Sequence, residues 1–300
     1  MFLCYSTTGR MSDMAYIRLV IFIQFAVVIF NPVAAYSGDL PSERQNTIQN
    51  TYTFGVVPQF EQRKIFRIWL PILSELEQRT GLQFTLKGSA KIPVFEKKFI
   101  DGGFDFAYMN PFHILKASNS QGYIPLIRDG DRALKGVLLV KKDSNIKNVN
   151  QLHNKTIAFP SPNALGASLL IRADLKNKFN ITINPRYVQT HSSVYIHVVK
   201  GLLDAGGGVI QTLESQRPSI KKDLEVLYET REIVSHPVAV HPRVPLQHRM
   251  LIQKVLLEIA AEEKTKVLFA EIPMKKPVAT DMQDYVDLAR WGLEKFYVQN

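Results

Sequence analysis

Tyr52-Thr53-Phe54-Gly55-Val56-Val57-Pro58, followed by Phe66, Trp69, Leu70, Leu73 and Leu76 and closed by Gly81, decides the fold class. The first run is aromatic and β-branched and reads as a strand. The second recurs at three- and four-residue spacing and reads as an amphipathic helix over 61–79 that ends at Gly81. Pro71 lies inside it and predicts a kink or a late start. The alternation then repeats along the chain. Strands are expected at 82–86, 104–109, 123–128, 135–141, 156–159, 186–189, 224–228 and 238–241. Helices are expected at 95–100, 111–119, 148–152, 164–176, 192–202, 246–260 and 281–297. Strands separated by helices imply βαβ units and mainly parallel sheets. The pattern fits an α/β protein of two lobes, the second inserted into the first, with crossovers near 135–140 and 234–240. The expected boundaries are 52–137 and 237–300 for the first lobe and 138–236 for the second.

The N-terminus stands apart. Tyr16 to Phe30 is apolar apart from Arg18 and Gln24, with Arg10 and Arg18 as a basic entry. Val33-Ala34-Ala35 places small residues before a cleavage point. These are the three parts of a secretory signal peptide over 1–35, with the mature chain beginning at or near Tyr36. Asn31-Pro32 closes the apolar run too early for a comfortable membrane span. Residues 36–51 are polar and read as a flexible leader. Cys4, the single cysteine, precedes the apolar run, so the mature chain has no thiol, disulfide or cysteine-based metal site.

Of the 300 residues, 46% are hydrophobic and 21% charged, a globular balance. The formal charge is +10, or about +9 once the leader is removed. A basic protein suits anionic partners. The basic residues are spread as pairs such as Lys97-Lys98, Lys141-Lys142 and Lys221-Lys222. No basic stripe with interleaved aromatics occurs, which argues against nucleic acid.

In open α/β sheets ligands bind beyond the carboxyl ends of strands. The loop Pro160-Ser161-Pro162-Asn163-Ala164-Leu165-Gly166 runs into a helix, whose free N–H groups and positive end suit an oxyanion. Ser161 or Asn163 either caps that helix or touches such an anion. His191-Ser192-Ser193 opens the next helix and offers an imidazole and hydroxyls, with Ser192 as a plain N-cap on the other reading. Tyr108, Asn110 and His113 follow a strand of the first lobe. Asp204-Ala205-Gly206-Gly207-Gly208 reads as a strand end where three glycines can form an anion-binding nest. His236 and His241, five apart and each followed by a proline, lack metal-ligand spacing, and no H-E-x-x-H occurs. G-x-S-x-G and P-loop motifs are absent, and the glycines do not form a dinucleotide fingerprint.

These loops resemble the phosphonate-binding family, the periplasmic components of phosphate, phosphite and phosphonate ABC transporters. The resemblance runs from about Tyr52 to Trp291. It rests on ordered motifs: Phe54-Gly55-Val56-Val57-Pro58, Trp69-Leu70-Pro71-Ile72 with Thr80-Gly81, Phe104 to Tyr108 with Asn110-Pro111, Lys142-Asp143-Ser144-Asn145-Ile146 with Leu152, Ala158-Phe159-Pro160, His191-Ser192-Ser193-Val194, and Gly201 to Gly206. It implies a type II periplasmic-binding-protein fold, two α/β lobes joined by two crossover strands, with an anion held between them. The implied ligand-binding set is Tyr108, Asn110, Ser161, Asn163, Ala164, Leu165, Gly166, His191, Ser192, Tyr195 and Asp204. Relatives carry a Ser-Thr-Ser-Gly run where this chain reads Asn163-Ala164-Leu165-Gly166. Backbone amides, Asn163, Ser161 and Ser168 remain to bind there.

The resemblance implies a monomeric periplasmic solute-binding protein that needs no metal or cofactor and delivers a small phosphonate- or phosphate-like oxyanion to an inner-membrane ABC permease. The alternative is a periplasmic sensor that presents its ligand to a membrane histidine kinase. An enzyme on the same fold is disfavoured because no base–nucleophile constellation is evident.

Overall fold

In the computed structural model, residues 51–272 and 274–299 are described. The expected signal peptide, Cys4 and all of the expected leader except Thr51 lie outside them. The chain begins with β1 (Thr51–Val56), α1 (Gln62–Thr80), β2 (Gln83–Lys87), α2 (Ile92–Ile100), β3 (Phe106–Tyr108), α3 (Pro111–Gln121) and β4 (Ile124–Asp129). It continues with β5 (Leu134–Lys141), β6 (Thr156–Phe159), α4 (Leu170–Asn177), β7 (Asn184–Tyr187), α5 (His191–Val199), β8 (Ala205–Val209), α6 (Ile210–Glu214), α7 (Pro218–Lys221) and β9 (Leu224–Ile233). It closes with β10 (Val238–Val240), α8 (Leu246–Ala261) and β11 (Pro277–Ala279).

These strands form two sheets, one ordered β11-β4-β10-β3-β1-β2 and the other β7-β6-β8-β5-β9. Each contains a parallel βαβ core, β2-β1-β3 in the first and β7-β6-β8 in the second. Antiparallel strands extend both cores: β10, β4 and β11 in the first, β5 and β9 in the second. The chain passes from the first sheet to the second between Asp129 and Leu134, and returns between Ile233 and Val238. Each sheet with its helices is a lobe. Parallel strands put their carboxyl ends on one edge of each sheet, and these edges carry the loops singled out above.

Local chemistry explains most boundaries. The α1 helix runs through Pro71 without ending and buries Ile65, Ile68, Trp69, Ile72, Leu73 and Leu76. Gly81 stops it with φ 71°, donating its N–H back to Glu77 O, a left-handed turn that glycine adopts without Cβ strain. Asn110 caps α3, its side chain accepting from the Phe112 and His113 amides. Thr190, not Ser192, caps α5 by accepting from the Ser193 amide, so the helix starts at His191. Thr190 wins because its hydroxyl stands three residues ahead of that free N–H.

Two expectations need correction. The glycines of 206–208 form no nest: they lie in the interior of β8, and none has a positive φ. A side chain at Gly207 would strike Ala167 O and Phe159, and one at Gly208 would strike Tyr195. The glycines are there for close packing. The 281–297 helix is replaced by three short 3₁₀ pieces, Met282–Asp284, Val286–Trp291 and Leu293–Phe296. Gly292 at φ 66° breaks the run, and the chain beyond it turns across both lobes. The other expected helix, 164–176, begins with a π-helical turn, Leu165–Leu169, before α4.

The largest apolar cluster fills the first lobe and continues into Ala164, Leu165, Ala167 and Leu169 of the second, so the lobes are packed against each other. Smaller clusters lie on the two faces of the second sheet. Among the described residues no helix is long and apolar enough to cross a membrane.

Candidate functional site

The strand ends of both lobes meet around a cavity of about 20 Å³. It is lined by Val57, Gln59, Ile92 and Asn110 of the first lobe, Leu134, Ala164, Leu165, Gly166, Ala167, His191 and Val209 of the second, and His236 of the return segment. Of the residues expected to bind ligand, Asn110, Ala164, Leu165, Gly166 and His191 come together here. Ala164 precedes the π-helical turn with no side-chain cap. The first amides of such a turn are left unbonded by the helix itself and carry its positive end.

The first-lobe wall is built by the loop after β1, the start of α2 and the Asn110 cap of α3. Asn110 is 3% exposed, and its Nδ2 donates to Asn163 O at 3.3 Å, a bond across the lobes. It also meets His113 Nε2 at 3.0 Å, which in turn lies 3.0 Å from Glu96 Oε1. Tyr108 is buried between Trp69 and the ring of His236, centroids 5.1 and 5.5 Å away. Its hydroxyl is buried with no hydrogen-bond partner among the described residues, and desolvation together with Asp129 holds its pKa far above the ordinary phenol value. Ser161 Oγ is likewise buried and unpartnered. It lines a separate cavity of about 170 Å³ with Lys91, Tyr187 and Gln189.

The second-lobe wall is held by α5 and α6. His191 Nδ1 lies 3.2 Å from Thr212 Oγ1, and burial pushes its pKa down to about 4. Tyr195 is one turn further along, but its hydroxyl is engaged by Thr212 Oγ1 at 2.6 Å and Val209 O at 3.4 Å. It therefore backs His191 through Thr212. Ser192 is half-buried and does not line the cavity.

Two other expected residues do different work in this arrangement. The Asn163 side chain accepts from Val298 N at 2.9 Å and donates to Val298 O at 2.8 Å and Glu96 Oε2 at 3.1 Å. Asp204 sits at the start of β6, accepting from the Thr156 amide at 2.8 Å and pairing with Lys155 at 3.7 Å. That is the far end of the strand from the cavity.

Sequence reasoning missed Gln59, Thr212 and Glu96 and considered His236 only as a metal ligand. His236 is 7% exposed; its Nε2 meets Gln59 Nε2 at 2.8 Å. Burial, then the neighbouring His113 and His191, push its pKa down to about 3. The available signal was its place beside Pro237, where the chain returns to the first lobe. Among the described residues no group of three or more His, Cys, Asp or Glu could hold a metal ion.

Two α/β lobes joined by two chain passages, with a donor-lined cavity at their facing strand ends, define a type II periplasmic-binding-protein fold. The chain belongs to the family of periplasmic substrate-binding proteins of phosphonate ABC transporters, whose family model matches residues 54–285. A binding component of a phosphonate ABC transporter from Pseudomonas aeruginosa superposes with TM-score 0.75 at 16% identity, over 82% of this chain and 87% of that one. A Prochlorococcus marinus protein solved with methylphosphonate gives 0.74 at 18% identity, over 83% and 100%. A Xanthomonas citri protein bound to ATP gives 0.68 at 16% identity, over 82% and 98%. These likenesses show a shared fold. Comparison with curated proteins finds no sequence match.

Proposed function

We propose that this protein captures a small phosphonate- or phosphate-like oxyanion between its lobes and delivers it to an ABC permease, acting as a carrier and not as a catalyst. The observation that carries this reading is the convergence, at one interlobe cavity, of the π-turn start at Leu165–Gly166, the Asn110 carboxamide and the His191 imidazole. Donors at a helix start facing a shared crevice are suited to an oxyanion. The buried, unpartnered hydroxyls of Tyr108 and Ser161 lie beside this cavity and not on its lining, and buried polar groups are normally satisfied. Asn163 and Tyr195 support these contacts from behind. The Prochlorococcus neighbour's methylphosphonate makes that compound the first ligand to try. Export through cleavage after Ala35 is part of the same proposal.

Calorimetry of the purified exported protein with methylphosphonate, phosphate, phosphite and sulfate tests the reading. At least one of the phosphorus oxyanions is expected to bind at one site per chain. Replacing His191 with Ala is expected to weaken it by roughly 10- to 150-fold, the worth of one hydrogen bond to a charged group. Absence of binding to all four anions overturns the proposal.

A further inference from the structure

We propose that His236 is a ligand-contacting residue of the interlobe cavity, and that His236 and His191 supply its positive charge by taking up protons as the anion enters. This rests on the oxyanion reading above and deepens it. The cavity is lined by two imidazoles and by no lysine, arginine or carboxylate. An anion held there meets no standing positive charge from the lining side chains.

Each imidazole is anchored through one ring nitrogen by an uncharged group. His191 uses Nδ1 toward the Thr212 hydroxyl, and His236 uses Nε2 to accept from the Gln59 amide nitrogen, so charging this ring requires Gln59 to turn its amide oxygen to it. The opposite nitrogen of each ring is left to meet a ligand. The two rings come from different parts of the fold, α5 and the return segment, so the anion binds them together only when the lobes are closed.

The surrounding ionisable groups do not charge these rings in the ligand-free protein. His236 faces the Tyr108 ring and lies near His113 and His191. His113 is already paired with Glu96. Asp129, whose main chain accepts from Ser235, turns its carboxylate to the Asp131, Lys275 and Lys276 amides. Tyr285 donates to the Ser235 carbonyl. His191 faces Thr212, which also holds Tyr195. Burial keeps both rings neutral near pH 7. An opposite charge in contact moves a titration point by about 1–3 pH units, which carries His191 toward neutrality and His236 toward pH 6. The sign is fixed: an anion favours the charged ring, so binding takes up protons and strengthens as pH falls.

The test is nitrogen-detected NMR of the histidine side chains at pH 6, without ligand and saturated with methylphosphonate, with His191→Gln and His236→Gln assigning the signals. Both rings are expected to be neutral in the free protein. With ligand, the His191 signal moves toward imidazolium and the His236 signal moves part of the way, up to about half. Methylphosphonate affinity, measured in parallel, is expected to drop at least tenfold in His236→Gln. Bound ligand with both rings still neutral overturns the proton uptake. Unchanged affinity in a folded His236→Gln overturns the contact. If the variant does not fold, the wild-type spectra alone decide, since an unshifted His236 signal on binding overturns the contact as well. If neither methylphosphonate nor phosphate binds, the oxyanion reading itself has failed, and this proposal with it.

Discussion

The Asn163 carboxamide holds three groups from two distant stretches, the two main-chain groups of the exposed Val298 and the buried Glu96 carboxylate. Removing it as Asn163→Ala takes these bonds away, and the one to the buried Glu96 carboxylate, a hydrogen bond to a charged group, is worth about 1.5–3 kcal/mol. A denaturant melt of this variant is expected to show a loss in that range, at an unchanged slope. If stability is unaltered, the side chain is not the clamp described. The sequence showed that Asn163 lies at a helix-leading loop, but its partner is 135 residues further on, beyond any local pattern. His236 was illegible for a related reason: burial and the stack on Tyr108 put it on the cavity wall, and neither leaves a mark in spacing. The two buried imidazoles also fix an acid limit for the ligand-free protein. Their pKa values are depressed from an ordinary 6.5 to about 4 and about 3, so below pH 6.5 the unfolded chain binds protons that the folded one refuses. Their contribution is complete above pH 6.5 and is lost as pH falls toward 4 and then 3. Each pH unit costs about 1.4 kcal/mol for each ring still refusing its proton. Melting temperature followed from pH 7 to pH 4 is expected to fall steadily. His191→Gln and His236→Gln should each flatten the slope, and an equally steep fall in both would remove the rings as its source.

At the scale of elements, the π-helical turn Leu165–Leu169 is seated directly on two glycines. A Cβ at Gly136 of β5 would run into Gly166 O, and one at Gly207 of β8 into Ala167 O. Both obstacles are backbone, so a side chain there has to lift the turn off the sheet. Gly136→Ala is expected to destabilise by roughly 1–3 kcal/mol, as overpacking does, and to weaken oxyanion binding because it displaces the amides that face the cavity. Gly201→Ala makes the contrast. Its φ of 67° strains a side chain while nothing lies within 4 Å, so stability should suffer and affinity should not. Equal affinity in both variants would show that the turn does not shape the site. The βαβ alternation was legible because its apolar periods are local, and the loops after the strands followed from it. The glycines of β8 were legible as a strand end but not as a strand interior, because only the neighbouring turn and Tyr195 explain them. The 281–297 stretch failed for the opposite reason. Val286, Leu288, Trp291, Leu293 and Phe296 recur at spacings that suit a helix, but the chain follows contacts to two lobes instead. Thus Trp291 lies under Arg231 of β9 at 4.5 Å, and Tyr297 packs on Phe112 of α3 at 5.6 Å.

For the whole molecule, residues 291–298 act as a strap from one lobe to the other. On the first lobe Lys116 pairs with Glu294 at 2.6 Å and lies over the Tyr297 ring at 4.7 Å. On the second, Arg172 donates to Phe296 O at 2.8 Å and to Pro162 O at 2.7 Å, and Asn163 holds Val298. The Arg172 pKa is lowered by desolvation, and this half-buried cation lies against carbonyls and, among the described residues, pairs with no carboxylate. The strap is expected to favour a closed arrangement, the one in which Asn110 reaches Asn163 O and both imidazoles line one cavity. A ligand that contacts both lobes binds the closed form better and shifts the population toward it. The strap contributes to the same equilibrium before any ligand arrives, so weakening it lowers the competent fraction and the apparent affinity in proportion. Small-angle scattering of the free protein, of the protein saturated with methylphosphonate, and of an Arg172→Ala variant tests this. The radius of gyration is expected to fall on ligand binding, and to be larger in ligand-free Arg172→Ala than in the ligand-free wild type. Saturated, the two proteins should converge on one closed value, with a weaker Kd for the variant. If Arg172→Ala matches the wild type in both states while binding more weakly, the strap does not govern closure, and Arg172 acts through the Pro162 carbonyl on the loop that carries the site.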